Sequence, residues 1–255
     1  MANVPAPGPH YEILALRYGT FDGRMQYQNL LVPDDHSAPD PLDFYVFAIR
    51  GAGRTIVMDT GFNPESGARR GRGMARTPAQ SLLDAGIDPA AAEDVILTHM
   101  HWDHAGGMRY FPKAKFHIQA AEMAYCTGPC MCEPFLRRPF DVDDVQSAVG
   151  ALYSDRLRVY EGTAEIAPGV TVHLIGGHSG GIQSIRAHLW RNIRGRNPFP
   201  VVVDIQRMLR GFDIINGLAD GEDHVIPGHD PLILKRFPSH NGNPDIARLD
   251  LPPVA

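Results

Sequence analysis

Cysteine is scarce in this chain: Cys126, Cys130 and Cys132 are its only three in 255 residues. A small odd number argues against a disulfide framework and fits a reducing compartment. Their spacing, Cys-x3-Cys-x-Cys broken by Gly128-Pro129, matches no common structural zinc site, so free thiols are expected. Long apolar runs are also missing, and none approaches the length that crosses a bilayer. Residues 1–10 carry neither the basic stretch nor the apolar stretch of a secretory signal. No linker, repeat or low-complexity tract divides the chain, so residues 1–255 read as one domain, and a 44% hydrophobic content can fill its core. Positive charge is not in excess: a net charge of −5 and a pI near 6.2 give no electrostatic reason to expect nucleic acid or an anionic membrane. These absences together predict a soluble cytoplasmic protein, monomeric or homodimeric, whose partner is a small molecule.

What the chain does have is a local crowd of metal-ligand side chains. The apolar run Val95-Ile-Leu97 reads as a buried strand. After Thr98 it releases His99, His101, Asp103 and His104 within six residues. Residues two apart on extended backbone point to the same side, so His99 and His101 converge. Asp103 and His104 are adjacent and can face a second point as the chain turns. Imidazole and carboxylate without thiolate suit zinc, iron, manganese or cobalt in a site with an open position. The competing reading is a polar loop whose histidines serve only as hydrogen-bond partners.

The stretch His99-Met-His101-Trp-Asp103-His104-Ala-Gly-Gly107 resembles the HxHxDH signature of metallo-β-lactamase-fold hydrolases. Further resemblance lies in Asp59-Thr60-Gly61, in Gly176-Gly-His178-Ser-Gly-Gly181 and in Pro227-Gly-His229-Asp230. Residues 16–20, 99–110 and 177–184 are similar to the N-acyl homoserine lactonase branch. The resemblance implies an α/β (α+β) fold, a four-layer αβ/βα sandwich of two mixed β-sheets flanked by helices, with the site at one edge. It implies two divalent metal ions, His178 joining His99 and His101 on the first, and His229 joining Asp103 and His104 on the second. It also implies that Asp59 lies beneath the metals and orients their ligands; on residue type alone, Asp59 reads equally well as a turn aspartate before Thr-Gly.

Elsewhere the pattern predicts strands at 11–17, 44–49, 55–59, 115–119, 156–160, 170–174 and 224–226, with a loop at 32–41. Thr77-Pro78 followed by Gly86 marks a helix with its cap, first-turn proline and terminal glycine. Helices are also expected from Ala120 and over 142–152. His117 reads as a strand histidine facing a neighbour. The arginine- and glycine-rich stretch 67–76 could attract an anionic substrate, but reads better as a solvated loop, since so many glycines cannot hold arginines in fixed geometry. The aromatic, methionine and proline residues of 123–140 are a candidate lid over an apolar substrate tail.

Asp204 has two possible jobs. It ends the apolar run Pro200-Val-Val-Val-Asp204, where the related hydrolases place a metal-bridging aspartate. It also sits where an N-cap belongs, before the apolar helical stripe Ile205, Met208, Leu209, Phe212 and Ile215. Alignment with the lactonase branch runs past that branch's bridging aspartate and nearby tyrosine, so both residues look deleted here.

The function implied is metal-dependent opening of a lactone ring, an N-acyl homoserine lactone in particular, hence quorum quenching. Two metals roughly 3.5–4 Å apart would activate a shared water and polarise the carbonyl, with Asp103 shuttling a proton to the leaving alkoxide. Thioester, phosphodiester and β-lactam hydrolysis stay open on the same ligands, as does a degenerate, non-catalytic member. A redox di-iron member is disfavoured, because that group has glutamate where His101 stands.

Overall fold

The apolar run of Leu42–Gly51 (β2) is buried along most of its length, which marks it as an interior strand covered on both faces. A computed structural model describes residues 9–32, 35–183 and 189–254. In it β2 sits between Glu12–Phe21 (β1) and Arg54–Met58 (β3), antiparallel to both. Gly73–Met74 (β4) pairs with β1. Asp94–Ile96 (β5), Lys115–Gln119 (β6) and Leu157–Tyr160 (β7) continue from β3 in parallel. Thr163–Ala167 (β8) and Val170–His173 (β9) form a separate antiparallel hairpin. Ser239–His240 (β10) and Asn243–Arg248 (β11) return to pair with each other and with β1. The large sheet runs β10-β11-β1-β2-β3-β5-β6-β7, so early and late chain are joined at β1.

Parallel pairing needs crossovers, and helices supply them. Pro64–Arg69 (α1) and Pro78–Asp84 (α2) lie between β3 and β5; Trp102–Ala105 (α3) follows β5. Ala120–Cys126 (α4), Pro134–Arg137 (α5) and Val142–Tyr153 (α6) connect β6 to β7. The expected cap holds: the Thr77 hydroxyl accepts from Gln80 N–H at 3.1 Å. Trp190–Arg194 (α7), Ile205–Leu218 (α8) and Ile233–Arg236 (α9) lie in the second half. No helix among the described residues is long and apolar enough to cross a membrane.

The main core joins Leu14, Val46, Val57, Val95 and Phe116 of the sheet to Leu82 of α2 and Ala148 of α6. The hairpin covers the other side through Ala167, Val170 and Val172 against Ile49, Ile56 and Ile96. Helix α8 closes a further cluster with Met208, Phe212 and Ile215 against Ile175 and Ile193. The fold is thus a mixed α/β architecture of sheets flanked by helices.

The second sheet differs from expectation, being reduced among the described residues to the β8–β9 hairpin. Residues 200–204 form no strand: Val203 and Asp204 instead give their N–H groups to the Gly177 carbonyl at 2.8 and 3.0 Å. Pro200 has no N–H for a ladder in any case. Residues 224–226 are also irregular, the Val225 carbonyl being taken by the Trp190 indole at 2.9 Å. Residues 1–8, Pro33 and Asp34 of the expected loop, and Ser184 of the lactonase-like stretch lie outside the described residues.

Candidate metal centre

The site lies past the carboxyl ends of β3 and β5, where parallel strands of an α/β sheet release their loops. The pairing of Met58 with Ile96 sets Asp59 and Leu97 level as each chain leaves the sheet. Thr98 then gives its backbone N–H and its hydroxyl to the Asp59 carboxylate, at 2.7 and 2.8–2.9 Å. Asp59 is fully buried and its φ is +60°, a left-handed conformation that costs a non-glycine residue energy. It also contacts His104 Nδ1 at 2.6 Å. The aspartate therefore orients a histidine from beneath and belongs to neither donor set.

His101 stands in extended conformation as the N-cap of α3, whose first turn carries Asp103 and His104. Past Leu174 of the strand-like stretch beyond β9, the loop with His178 closes back on Gln183. The ring centroids of His99, His101 and His178 lie 4.3, 4.7 and 5.0 Å apart. Those of His104 and His229 are 5.3 Å apart, and Asp103 Oδ2 is 3.5 and 3.7 Å from their Nε2 atoms. Two donor sets result, His99–His101–His178 and Asp103–His104–His229, with the ligand atoms of each set within 4.8 Å of one another. They adjoin through His99 and His104, 4.1 Å apart.

The chemistry of the donors fits divalent metal. Every histidine of the two sets is buried. Burial, then the neighbouring His178, His104 and Arg70, holds the His101 pKa well below the ordinary imidazole range. Burial also pushes His178 down to about 4, its bond to the Val201 carbonyl only partly opposing this. Neutral imidazole is the form that ligates. His178 and His229 each engage a backbone carbonyl, Val201 and Asp43, through Nδ1, which leaves Nε2 for the site. For Asp103, burial alone would raise the carboxyl, but the His104 and His229 imidazoles outweigh it and hold the carboxyl below its usual range.

The glycines around His178 serve packing more directly than metal approach. Gly177 has φ +94°, and a Cβ there would lie 2.4 Å from Met208 N at the start of α8. A Cβ on Gly181 would lie 2.2 Å from Glu122 N in α4. The loop is therefore pressed between two helices.

Of the two jobs open to Asp204, the geometry shows the helix cap and not the bridge. Its side chain accepts from Arg207 N–H at 2.9 Å as the N-cap of α8, it is exposed, and it is in neither donor set. The Gly177 carbonyl fixes the backbone at Val203 and Asp204 where the helix must start, so the carboxylate serves the helix. Asp103 is the one carboxylate in the two sets among the described residues.

Other expectations fare variously. His117 bonds Tyr160 and Asp94, both at 2.9 Å, and is no ligand of either set. The cysteines are free, and burial pushes the Cys126 thiol up to about 12. Arg70 and Arg72 are not loose in a solvated loop. Arg70 pairs with Asp141 at 2.8 Å and lies 4.9 Å over the Trp102 ring, while Arg72 lies 3.6 Å over Phe21. Residues 123–140 reach the site through Arg138 and Pro139, which line the cleft, and Phe140, whose ring is 4.7 Å from His101.

Glu122 carries no sequence signal beyond its place in the first turn of a helix after a strand. Fully buried, it accepts from Met100 N–H at 2.9 Å, Ser179 Oγ at 2.7 Å and Gly181 N–H at 2.8 Å. It thereby ties the loop between His99 and His101 to the loop after His178.

Comparison with known proteins agrees with this geometry. The metallo-beta-lactamase superfamily signature matches residues 40–233. The N-acyl homoserine lactonase AiiB of Agrobacterium fabrum is 28% identical over 173 residues, 58% of this chain; the alignment spans only 58% of that relative's length. A solved N-acyl homoserine lactone hydrolase, with N-hexanoyl-L-homoserine bound at its catalytic metal center, superposes with a TM-score of 0.65 at 21% identity, covering 86% of this chain and 93% of that one. AidC, described as a dizinc quorum-quenching lactonase, gives 0.65 at 17% identity over 88% of this chain and 89% of its own. At such identities the structural likeness speaks for the fold, and the matched signature for ancestry: this chain belongs to the metallo-beta-lactamase superfamily.

Proposed function

We propose that this chain is a metal-dependent hydrolase of ester-type bonds that opens a lactone ring, with N-acyl homoserine lactones as the first class to test. The observation that carries the reading is the pair of adjoining donor sets, five buried histidines and Asp103, on the cleft side of the fold. His99, His101 and His178 would hold one divalent ion and Asp103, His104 and His229 a second, zinc first, with iron, manganese or cobalt as alternatives. Such ions supply an acidified water and polarise the carbonyl when bound.

The chain's own residues account for orientation and proton movement. Asp59 holds the His104 ring by Nδ1, and the carbonyls of Val201 and Asp43 do the same for His178 and His229. Hydrolysis joins a water oxygen to the acyl carbon, breaks the acyl carbon–oxygen bond of the ring, and leaves an alcohol, a carboxylate and one proton. Asp103, held ionised and lining the cleft, takes the proton of the attacking water and returns it to the leaving oxygen. Names of relatives that act on homoserine lactones support the substrate class, and the scarcity of cysteine supports a cytoplasmic setting. Quorum quenching is the biological corollary.

A second reading, a protein that holds metal without turnover, is favoured by one observation: Asp204 caps a helix and no second carboxylate enters the donor sets among the described residues. Acid release from hexanoyl homoserine lactone, beside a thioester, a phosphodiester and a β-lactam, separates the two. The proposal expects lactone opening that Asp103→Asn lowers about 10²–10⁴-fold. An inert lactone beside a hydrolysed member of the panel would move the assignment to that bond, and inertness throughout would favour the second reading.

A further inference from the structure

The cleft that exposes the two donor sets holds about 300 Å³ and is lined by Arg24, Arg70, Arg72 and Arg138, with Asp103 its one carboxylate. This concentration is local, because the chain as a whole carries −5. Among the described residues, Arg70 is the one of the four in an ion pair, with Asp141 at 2.8 Å. Arg24 is half-buried. Its Nε meets the Asn29 side chain, its Nη2 the Gln28 carbonyl at 2.7 Å, and its guanidinium stacks 5.0 Å from the Phe199 ring. All of those partners are uncharged. Arg72 gives Nη1 to the carbonyls of Arg70 and Gly71 at 2.8 and 3.4 Å and rests on the Phe21 ring. Arg138 is exposed, and its guanidinium makes no ion pair among the described residues. Burial first, then Arg72 and Arg138, pushes the Arg24 pKa down to about 10, and burial, then the charge of Arg70, lowers Arg72 as well, the Asp103 carboxylate opposing both shifts without cancelling them.

Gathering like charges around a partly desolvated cleft costs folding energy unless an opposite charge arrives. Aromatic faces and carbonyls pin Arg24 and Arg72 at the cleft wall, which lowers the ordering cost of receiving an oxyanion there. A neutral acyl homoserine lactone offers them carbonyl acceptors but no charge to offset theirs. We propose that the substrate is an ester or lactone bearing an anionic group, carboxylate or phosphate, which Arg24, Arg72 and Arg138 receive while the ester lies over the donor sets. This rests on the hydrolase reading for the chemistry, though not for the anion site itself.

Three matched aryl acetates test it on metal-loaded protein: phenyl acetate, 4-acetoxybenzoate and 4-acetoxyphenyl phosphate. The expected result is a kcat/KM for one or both anionic esters about ten-fold above the neutral one, a preference that Arg72→Gln and Arg138→Gln each abolish. The arm that shows the preference names the anion. Arg138 is exposed, so its substitution tests the idea even if Arg72→Gln folds poorly. Equal turnover of all three esters, or a preference that neither variant moves, overturns the inference and leaves the hydrolase reading standing. Should no aryl ester react, the lactone, thioester, phosphodiester and β-lactam panel still decides the hydrolase reading, and calorimetric titration of benzoate and phenyl phosphate into metal-free protein decides the anion site. Binding weakened about ten-fold in Arg138→Gln upholds it; no binding, or binding unchanged in the variant, overturns it.

Discussion

At the scale of single residues, the candidate centre depends on side chains that never face a ligand. Asp59 takes three hydrogen bonds from Thr98 and holds His104 Nδ1 at 2.6 Å, in a backbone conformation that other contacts must enforce. Asp59→Asn puts an amide where His104 needs an acceptor, and we expect divalent metal at the Asp103–His104–His229 set to bind about 10–100-fold more weakly. A competitive chelator titration reads this directly, and unchanged affinity would mean Asp59 is only a turn aspartate. Residue identity made four donors legible from sequence, because His99, His101, Asp103 and His104 are packed into one loop; His178 and His229 needed the family resemblance as well. Glu122 was not legible: it joins Met100 to Ser179 and Gly181, contacts that only the fold creates. The arginines fail for a similar reason. Glycines between them suggest freedom, whereas the rings of Trp102 and Phe21, far off in sequence, hold Arg70 and Arg72 in place.

At the scale of elements, helix starts decide two ambiguities. Asp204 could end a strand or begin a helix, and one apolar run is compatible with both. The cap wins because the Gly177 carbonyl collects the N–H groups of Val203 and Asp204, contacts invisible in the local pattern. Asp204→Ala should cost about 1 kcal/mol in urea denaturation and leave metal per chain unaltered; a loss of bound metal would restore Asp204 to the centre. Helix α6 begins with a different liability. Asp144 is buried, one of its carboxylate oxygens lacks a hydrogen-bond partner, and burial, then Asp141 and Asp143, raises its pKa to about 7. A raised carboxyl favours the folded state while protonated. Stability is therefore lost as pH rises from the model-compound value of 3.8 to about 7, and the loss is complete above that. Asp144→Asn removes the titration, so its melting temperature should match wild type near pH 4 and exceed it at pH 8. Parallel profiles across that range would contradict this account. Strands β1–β3, β5–β7 and β9 and helices α2, α4, α6 and α8 were legible from periodicity and caps; the remaining short elements were not, and residues 200–204 and 224–226 form no strand because their backbone groups are spent on Gly177 and Trp190.

At the scale of the molecule, one sheet gathers chemistry from distant stretches of chain. β3 and β5 end level and deliver Asp59 and the His99–His104 loop, the β8–β9 hairpin leads to His178, and the chain before α9 supplies His229. The αβ fold was legible because its motifs recur at strand ends; among the described residues its second sheet is the β8–β9 hairpin. Since His178 and His229 come from chain far from the His99–His104 loop, each donor set is complete only in the folded protein, so metal bound there would be coupled to folding, and activity should follow metal loading. The most direct test is stepwise return of zinc to chelator-stripped protein while acid release from a lactone is followed. No release is expected without metal, and release should rise with zinc and level at about two ions per chain. Saturable metal binding with no acid released from any ester, at any loading, would contradict the hydrolase reading.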